Sequence, residues 1–523
     1  MRLLALCLCL LAPLGAADTR YHQLTRKAKG SGGQVQIVAA TFLGGPGAQE
    51  LVGVAYSPDG AVLVTGNAWG PRLELGVQAT VWGKDDFRDA PVLTNEAKPK
   101  LDARNPNRAG FVARLSADLQ RVEAVARLGW GGGTFTGCQV GPDGGLYVAA
   151  VLRGGGLEWA KTLPGAKARP PAPEKAGGDA LALLRLTPDL TRCGWAAVCE
   201  RAERQSADAE KHVGGRTGLR ASFLDDQRLV LMAYGRLWTL GVDGRELQEL
   251  GASRGGVLLG ADARRGVCWS GGDENTNTGR EPWRRPMLVQ YDRGGKPAFE
   301  FWRWDSKLVG TDKYRLVSDS SVRGVAPLEG SKVLVWGWSD GGNSVFLRQP
   351  QDLDADAHFK QGFIDSLWGA NVGSFAWILT VDTEQRRTLG GSVMCSFLTE
   401  RNKPNSSRID GGTLLPGNRL ALVGSSAFAF VETPDAWVKT FPEGSGGSYF
   451  VIFSETLSDL LFASLLPGVD GPLALARRGD RVALIGTARP PKPDARAALT
   501  VKPLAGSVQD EADGYLLVTT TGR

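Results

Sequence analysis

One pattern dominates this chain: a tight turn, a short apolar strand and a small residue, repeated seven times. The copies are SPDGAVLVTG (57–66), GPDGGLYVAA (141–150), LDDQRLVLMA (224–233), ADARRGVCWSG (261–271), PLEGSKVLVWG (327–337), LLPGNRLALVG (414–424) and ARRGDRVALIG (476–486). Asp-Gly, Glu-Gly and Pro-Gly pairs supply the positive φ that hairpin turns require. The strands that follow are too short for buried helices and are rich in Val, Leu and Ile. Further strand–turn–strand text surrounds the copies, as in FVARLSADLQRVEAVARLGW (111–130), LALLRLTPDLTRCGWAAV (181–198), MLVQYDRGGKPAFEFWRW (287–304) and YFVIFSETLSDLLFASLL (449–466). Composition agrees. With 70 glycines and 28 prolines in 523 residues, long helices are excluded, while 42% apolar residues exclude wholesale disorder.

A unit of about four antiparallel strands, repeated in one chain, is the plan of a propeller blade. The expected fold is all-β: a single β-propeller of seven four-stranded blades. The first unit has IVAATFLGG (37–45) without a complete strand–turn–strand before it, and GYLLVTTTG (514–522) stands spare at the far end. The expectation is that this C-terminal strand completes the first blade, closing the ring and removing exposed edges. The expected domains are a signal peptide at 1–17, a basic leader at 18–33 and the propeller at 34–523. Long loop insertions fall at 67–109, 153–178, 338–373 and 487–512, with shorter ones at 272–285 and 425–447. All follow the small-residue strand, so in a ring they would emerge on one face, where such scaffolds carry function.

TFLGGPGAQELVGVAYSPDGAVLVTG (41–66) and FVARLSADL…GGGTFTGCQVGPDGGLYVAA (111–150) give the chain a resemblance to a known group. It resembles the seven-bladed propeller repeat family of bacterial exported proteins, of planctomycete type. GGDENTNTGREPWRRPMLVQYDRGG (271–295) is similar to secreted proteins of the same bacteria. The resemblance implies a fold and a compartment, and it brings no catalytic residue.

The N-terminus, MRLLALCLCLLAPLGAADTR, has a positive Arg2, an apolar stretch from Leu3 to Leu14 and small residues Gly15, Ala16 and Ala17. That is the plan of a secretory signal peptide cleaved after Ala17, too short for a membrane anchor. The expected product is monomeric and secreted or periplasmic. Five cysteines remain after cleavage: Cys138, Cys193, Cys199, Cys268 and Cys395. Cys193 and Cys199 are close enough in sequence to suggest a small disulfide loop, the alternative being burial as free thiols. The net charge of +6 is mild, and the basic runs KARPPAPEK (167–175) and ARPPKPDAR (488–496) lack interleaved aromatics. Nucleic acid is not an expected partner.

Catalytic signatures are scarce. Three histidines, His22, His212 and His358, lie far apart, and no HExxH or CxxC occurs. The GxSxG at 251–255 is followed by strand and turn text, whereas a nucleophile elbow leads into a helix. GGDENTNTG places Asp273, Asn275 and Asn277 at alternating positions, as in calcium loops, although its glycine comes one position late. A second acidic run holds Asp352, Asp354, Asp356 and His358. Ca²⁺ is the only cofactor these residues suggest. Among 15 tryptophans, Trp69, Trp82, Trp159, Trp283, Trp368 and Trp437 sit in or beside the insertions. Exposed on one face they would bind a protein or a polysaccharide; buried, they would pin the loops to the scaffold. The expected function is therefore a non-catalytic binding or scaffold module working through the insertion-rich face. The alternative is a propeller enzyme (quinoprotein-like dehydrogenase, lactonase or lyase) with a central-channel metal or cofactor. YDRGGKPAFEFW (291–302) has a faint resemblance to a quinoprotein repeat.

Overall fold

The computed structural model describes residues 20–44, 48–69, 75–84, 108–165, 167–168, 176–202, 220–233, 235–254, 256–277, 282–309, 311–341, 345–357, 361–365, 374–398, 403–438, 446–488 and 513–522. Residues 1–17, expected to be a signal peptide, the insertion at 487–512 beyond Ala488, and Trp368 lie outside them. The chain is mostly β, and its strands pair into four-stranded antiparallel sets. In chain order, set I comprises Gln49–Tyr56, Val62–Trp69, Arg108–Leu115 and Val122–Leu128. Set II comprises Gly133–Val140, Leu146–Arg153, Ala176–Leu186 and Cys193–Ala202. Set III is Arg220–Phe223, Arg228–Ala233, Arg236–Gly241 and Gln248–Ala252. Set IV is Val257–Asp262, Val267–Asn277, Pro282–Tyr291 and Pro297–Phe301. Set V is Ser320–Pro327, Lys332–Ser339, Phe375–Asp382 and Arg387–Met394, and set VI is Ser407–Leu414, Leu420–Ser426, Gly447–Phe453 and Leu460–Leu466. Set VII joins Val469–Arg478, Arg481–Ala488 and Asp513–Thr520 to Gln36–Leu43. A single bridge, Ala109 to Gly133, links sets I and II into one larger sheet.

Every copy of the repeated turn-and-strand text falls on the hairpin between the first and second strands of a set. In the first of these turns Gly60 has φ of 95°, a conformation closed to most side chains. The second strands are buried along their length, as in Val62–Trp69. Their near-continuous apolar text follows, because both faces of such a sheet are covered by neighbours.

The termini meet, but not as expected. Asp513–Thr520 pairs with Arg481–Ala488 on one side and Gln36–Leu43 on the other. The N-terminal strand thus completes the last set, and set I has four strands of its own. The sequence count went astray because it took IVAATFLGG (37–45) into the first unit, although Gly44, Gly45, Pro46 and Gly47 separate its strand from Gln49–Tyr56, which opens set I. The basic leader is also structured: Arg20–Lys27 forms a helix. Its Leu24 is buried in the largest apolar cluster, Tyr21 packs on Phe397 at 5.6 Å, and Lys27 Nζ donates to the Phe363 carbonyl at 3.0 Å. Among the described residues no helix is long and apolar enough to cross a membrane.

First strands pack on first strands: set VII on I, I on II, III on IV, IV on V, V on VI and VI on VII. Between II and III the link is made by side chains, with Tyr147 meeting Phe223 edge-on at 5.0 Å. Four-stranded sheets packed in this way give a propeller-like fold.

Candidate functional site

A bulge recurs in the first strands. The pairing skips one residue at Val52, Thr136, Leu259, Arg323 and Asp410, and the next residue is glycine each time: Gly53, Gly137, Gly260, Gly324 and Gly411. A bulge bends its strand and re-aims the extra side chain, and the glycine admits the close neighbour. At Gly324 a Cβ would lie 2.1 Å from the Trp336 ring, and at Gly53 it would lie 2.7 Å from the Cys138 backbone nitrogen. Gly137 differs: nothing lies within 4 Å of where its Cβ would be.

That open side belongs to a cavity of about 190 Å³ where the first strands of sets VII, I, II and III approach one another. Its walls mix apolar groups such as Val52, Val54 and Leu475 with the polar Thr136, Gln139 and Arg220. Arg220 pairs with Met232, with three registered pairs between it and the turn. The same register position is Gly53, Gly137, Gly324 and Gly411 in sets I, II, V and VI. A guanidinium therefore replaces a hydrogen atom at the point where sets II and III stand apart. Arg220 keeps contact with water in the cavity yet is surrounded by protein, which lowers its pKa through desolvation alone. Among the described residues no carboxylate acts on it. Gln139 Nε2 is buried and has no hydrogen-bond partner among them either.

The other titratable groups around the cavity are poorly suited to proton transfer. Burial pushes the Cys138 thiol up to about 12, against weaker opposition from Thr65. Burial, reinforced by Asp143, also raises Tyr147, whose hydroxyl donates to Asp143 Oδ2 at 3.1 Å. Elsewhere in the first strands, burial raises the carboxyl of the bulge residue Asp410, and Arg408 and Arg323 offset only part of that.

The residues singled out from sequence are dispersed. Asp273, Asn275 and Asn277 belong to the extended strand Val267–Asn277, opposite Pro286, Arg284 and Pro282. Alternate positions on a strand lie ~6.8 Å apart, whereas calcium ligands converge within 2.3–2.6 Å of one ion. The run is therefore extended strand where a loop was expected, and Asp273 Oδ1 accepts from Ser321 Oγ at 3.0 Å. The second acidic run contains the strand Asp352–Asp356, where Asp354 accepts from the Tyr314 hydroxyl at 2.6 Å; His358 lies outside the described residues. Among the described residues no group of three or more His, Cys, Asp or Glu is arranged to hold a metal.

Cys193 and Cys199 are buried and form no disulfide with each other, correcting that expectation. They lie on one strand, Cys193–Ala202, and six residues of extended chain separate them by roughly 20 Å. Trp69, Trp82 and Trp283 are buried. Trp159 stacks on Trp82 at 5.8 Å, and half-buried Trp437 stacks on Phe450 at 5.6 Å while its Nε1 donates to the Val35 carbonyl. These rings attach loops to sheets. Sequence reasoning missed Arg220 and Gln139. The signal for Arg220 was present: counted back from the repeated turn, RASFLDD carries arginine where VGVAYSPDG and TGCQVGPDG carry glycine.

No protein-family model matches the chain, and no curated protein matches it in sequence. Several solved structures are similar in fold. A chain from the crystal structure of the mitotic checkpoint complex matches at 11% identity and TM-score 0.41, covering 92% of this chain and 94% of that one. A protein of unknown function from Dyadobacter fermentans matches at 12% identity and TM-score 0.39, covering 93% and 99%. BamB from Moraxella catarrhalis matches at 10% identity and TM-score 0.28, covering 72% and 93%. Likeness this distant carries no function across.

Proposed function

We propose that the chain is an exported seven-bladed β-propeller of the bacterial planctomycete-type kind, acting as a binding or scaffold module for a protein or polysaccharide. The observation that carries this reading is topological. The insertions at 67–109, 153–178, 338–373, 425–447 and 487–512 follow the second strand of a set, whereas 272–285 is the paired end of an extended hairpin in set IV and set III turns back directly. In a ring whose first strands follow one another around an axis, equivalent connections crowd one rim. A thick layer of loops on a rigid wall is a recognition surface. The packing order of the first strands and the pairing of Gln36–Leu43 with Asp513–Thr520 support seven blades held by both chain ends. The protonated thiol of Cys138 and the raised Tyr147 favour binding over catalysis at the axial cavity.

The test maps bound protein or glycan by hydrogen exchange on the mature chain. Candidates come from glycan arrays and envelope-protein panels. Protection is expected in the described parts of the insertions, at Gly154–Thr162 and Arg348–Asp356. Replacing 348–356 by a short Gly-Ser turn should weaken binding at least about tenfold, since a few residues dominate such interfaces. If protection falls on the outer strands instead, or if no protein or glycan binds, the proposal fails.

A further inference from the structure

We propose that half-buried Trp159 is a stacking platform for a pyranose ring, and that the insertions of sets I and II bind an oligosaccharide of gluco configuration through it. The site belongs to the insertion-rich rim, so it rests on the reading of that rim as a recognition surface and gives it a ligand class.

The two insertions interlock through glycine. Ala79–Trp82 adds in parallel to Val122–Leu128, the fourth strand of set I, and the helix Gly154–Thr162 lies against the residues that follow it. A Cβ on Gly83 would lie 3.0 Å from the Gly155 carbonyl oxygen, and a φ of 83° closes that position to most side chains. A Cβ on Gly155 would lie 3.2 Å from the Lys84 carbonyl oxygen. Backbones this close fix the insertions against each other. Trp82 is buried in one apolar cluster with Leu157 and Ala160 of the helix. Trp159 stacks on it, with centroids 5.8 Å apart and planes 5° from parallel. The inner ring is 6% exposed and the outer one half-buried, so the part of the stack that meets water is Trp159.

Two other half-buried tryptophans of the insertions are already engaged. Trp437 meets both Phe450 and Phe462, and Trp338 carries the guanidinium groups of Arg284 and Arg323 at 5.4 and 5.9 Å. Among the described residues, Trp82 is the only ring or cation that stacks on Trp159. A flat aromatic surface held rigidly binds a flat ligand at low entropic cost. A protein anchor would call for apolar neighbours forming a pocket, but the residues beside Trp159 are polar. The Glu158 carboxylate pairs with Lys161 Nζ at 3.4 Å, and Lys84 and Thr162 are exposed. Val81, exposed on the neighbouring strand, alternates to the side opposite Trp82. A pyranose with equatorial hydroxyls suits this surface. It lays C–H groups on the ring and turns its hydroxyls outward, where a carboxylate accepts from them and an ammonium donates to them.

The experiment is calorimetric titration of the mature chain with cellohexaose, chitohexaose and mannohexaose, with the melting temperature of every variant recorded. Cellohexaose or chitohexaose should bind, and more tightly than mannohexaose, whose axial hydroxyl interrupts the apolar face of each ring. Trp159→Ala and Trp159→Leu should each weaken binding at least about tenfold, as loss of an aromatic anchor does. Trp159→Phe keeps a flat ring and should stay within about threefold of the parent. If Trp159→Ala fails to fold, the contrast between Leu and Phe at this position still decides, since both are apolar and only one is flat. The proposal is overturned if no hexasaccharide binds, if mannohexaose binds best, if Trp159→Leu binds like the parent, or if Trp159→Phe loses as much as Trp159→Leu. The recognition role of the rim is judged separately, by hydrogen exchange. A protein or glycan that protects Arg348–Asp356 while the Trp159 variants bind like the parent sinks the platform and leaves the rim standing.

Discussion

Asp410 shows how a bulge can place a charge among packed strands while its side chain still reaches water. It is the extra residue in the first strand of set VI, and Gly471 of set VII approaches it closely enough that a Cβ there would lie 3.9 Å from Oδ2. Burial raises its pKa, and the attraction of Arg408 and Arg323 does not cancel the effect. The sign for stability follows from linkage. Below the unfolded carboxyl pKa of about 3.9 both states are protonated and the residue contributes no penalty. As pH rises through the elevated folded pKa, the native state must hold a carboxylate that the unfolded chain holds more easily, and stability falls. Asp410→Asn should therefore melt higher than the parent at pH 7, and the two melting curves should converge near pH 3. A variant that melts lower at pH 7 would show that the arginines outweigh burial.

The hairpins between third and fourth strands repeat a different solution. Leu119, Leu190 and Leu457 have φ of 56°, 61° and 60°, left-handed values that cost a branched side chain roughly 1–2 kcal/mol. All three are buried, Leu457 completely. The hairpin holds each in place: the Leu457 N–H donates to the Ser454 carbonyl at 3.0 Å, and its own carbonyl accepts from Phe363 N–H at 2.8 Å. Glycine would fit the backbone better, but only a large apolar residue fills the space, so burial outweighs strain. Leu457→Ala keeps the strained backbone and loses the side chain. It should destabilise the protein by about 2–5 kcal/mol in urea unfolding, whereas a loss below about 1 kcal/mol would mean the site collapses to fill the gap. This element was legible in the text, since LSADL, LTPDL and FSETL each stand between two apolar runs. Element identity survives translation into structure because turn chemistry and strand propensity are local. The run expected as a calcium-type loop is strand for the opposite reason. GGDENTN has turn-like composition, but seven residue pairs with the facing strand hold it extended. Pairing across a hairpin outweighs the local preference of a polar run.

At the scale of the molecule, both chain ends converge on one set of strands. Gln36–Leu43 lies at the outer edge of set VII and covers Asp513–Thr520 with seven registered pairs. Thr41, Phe42 and Leu43 are buried there, and the Thr519 hydroxyl donates to the Gln36 carbonyl at 2.7 Å. The helix Arg20–Lys27 anchors the same end by inserting Leu24 into the core. Sequence periodicity revealed that the termini share a sheet. It did not reveal which set they share, because the Gly-Gly-Pro-Gly run at 44–47 can be read either as a turn within the first unit or as the break before it, and only pairing decides between them. Nor could it expose the axial cavity, which arises from spacing between sets distant in sequence. The pairing of the ends has a mechanical consequence. Without Gln36–Leu43, the row of backbone groups on Asp513–Thr520 loses its partner and set VII becomes a three-stranded sheet with an apolar open edge, a template for association. A chain lacking residues 18–43 should melt well below the parent and in a broader transition. It should also form concentration-dependent oligomers by light scattering, which a peptide spanning residues 34–45 suppresses when added in excess. A truncated chain that stays monomeric and melts with the parent would show that the fold is held by packing between the sets alone.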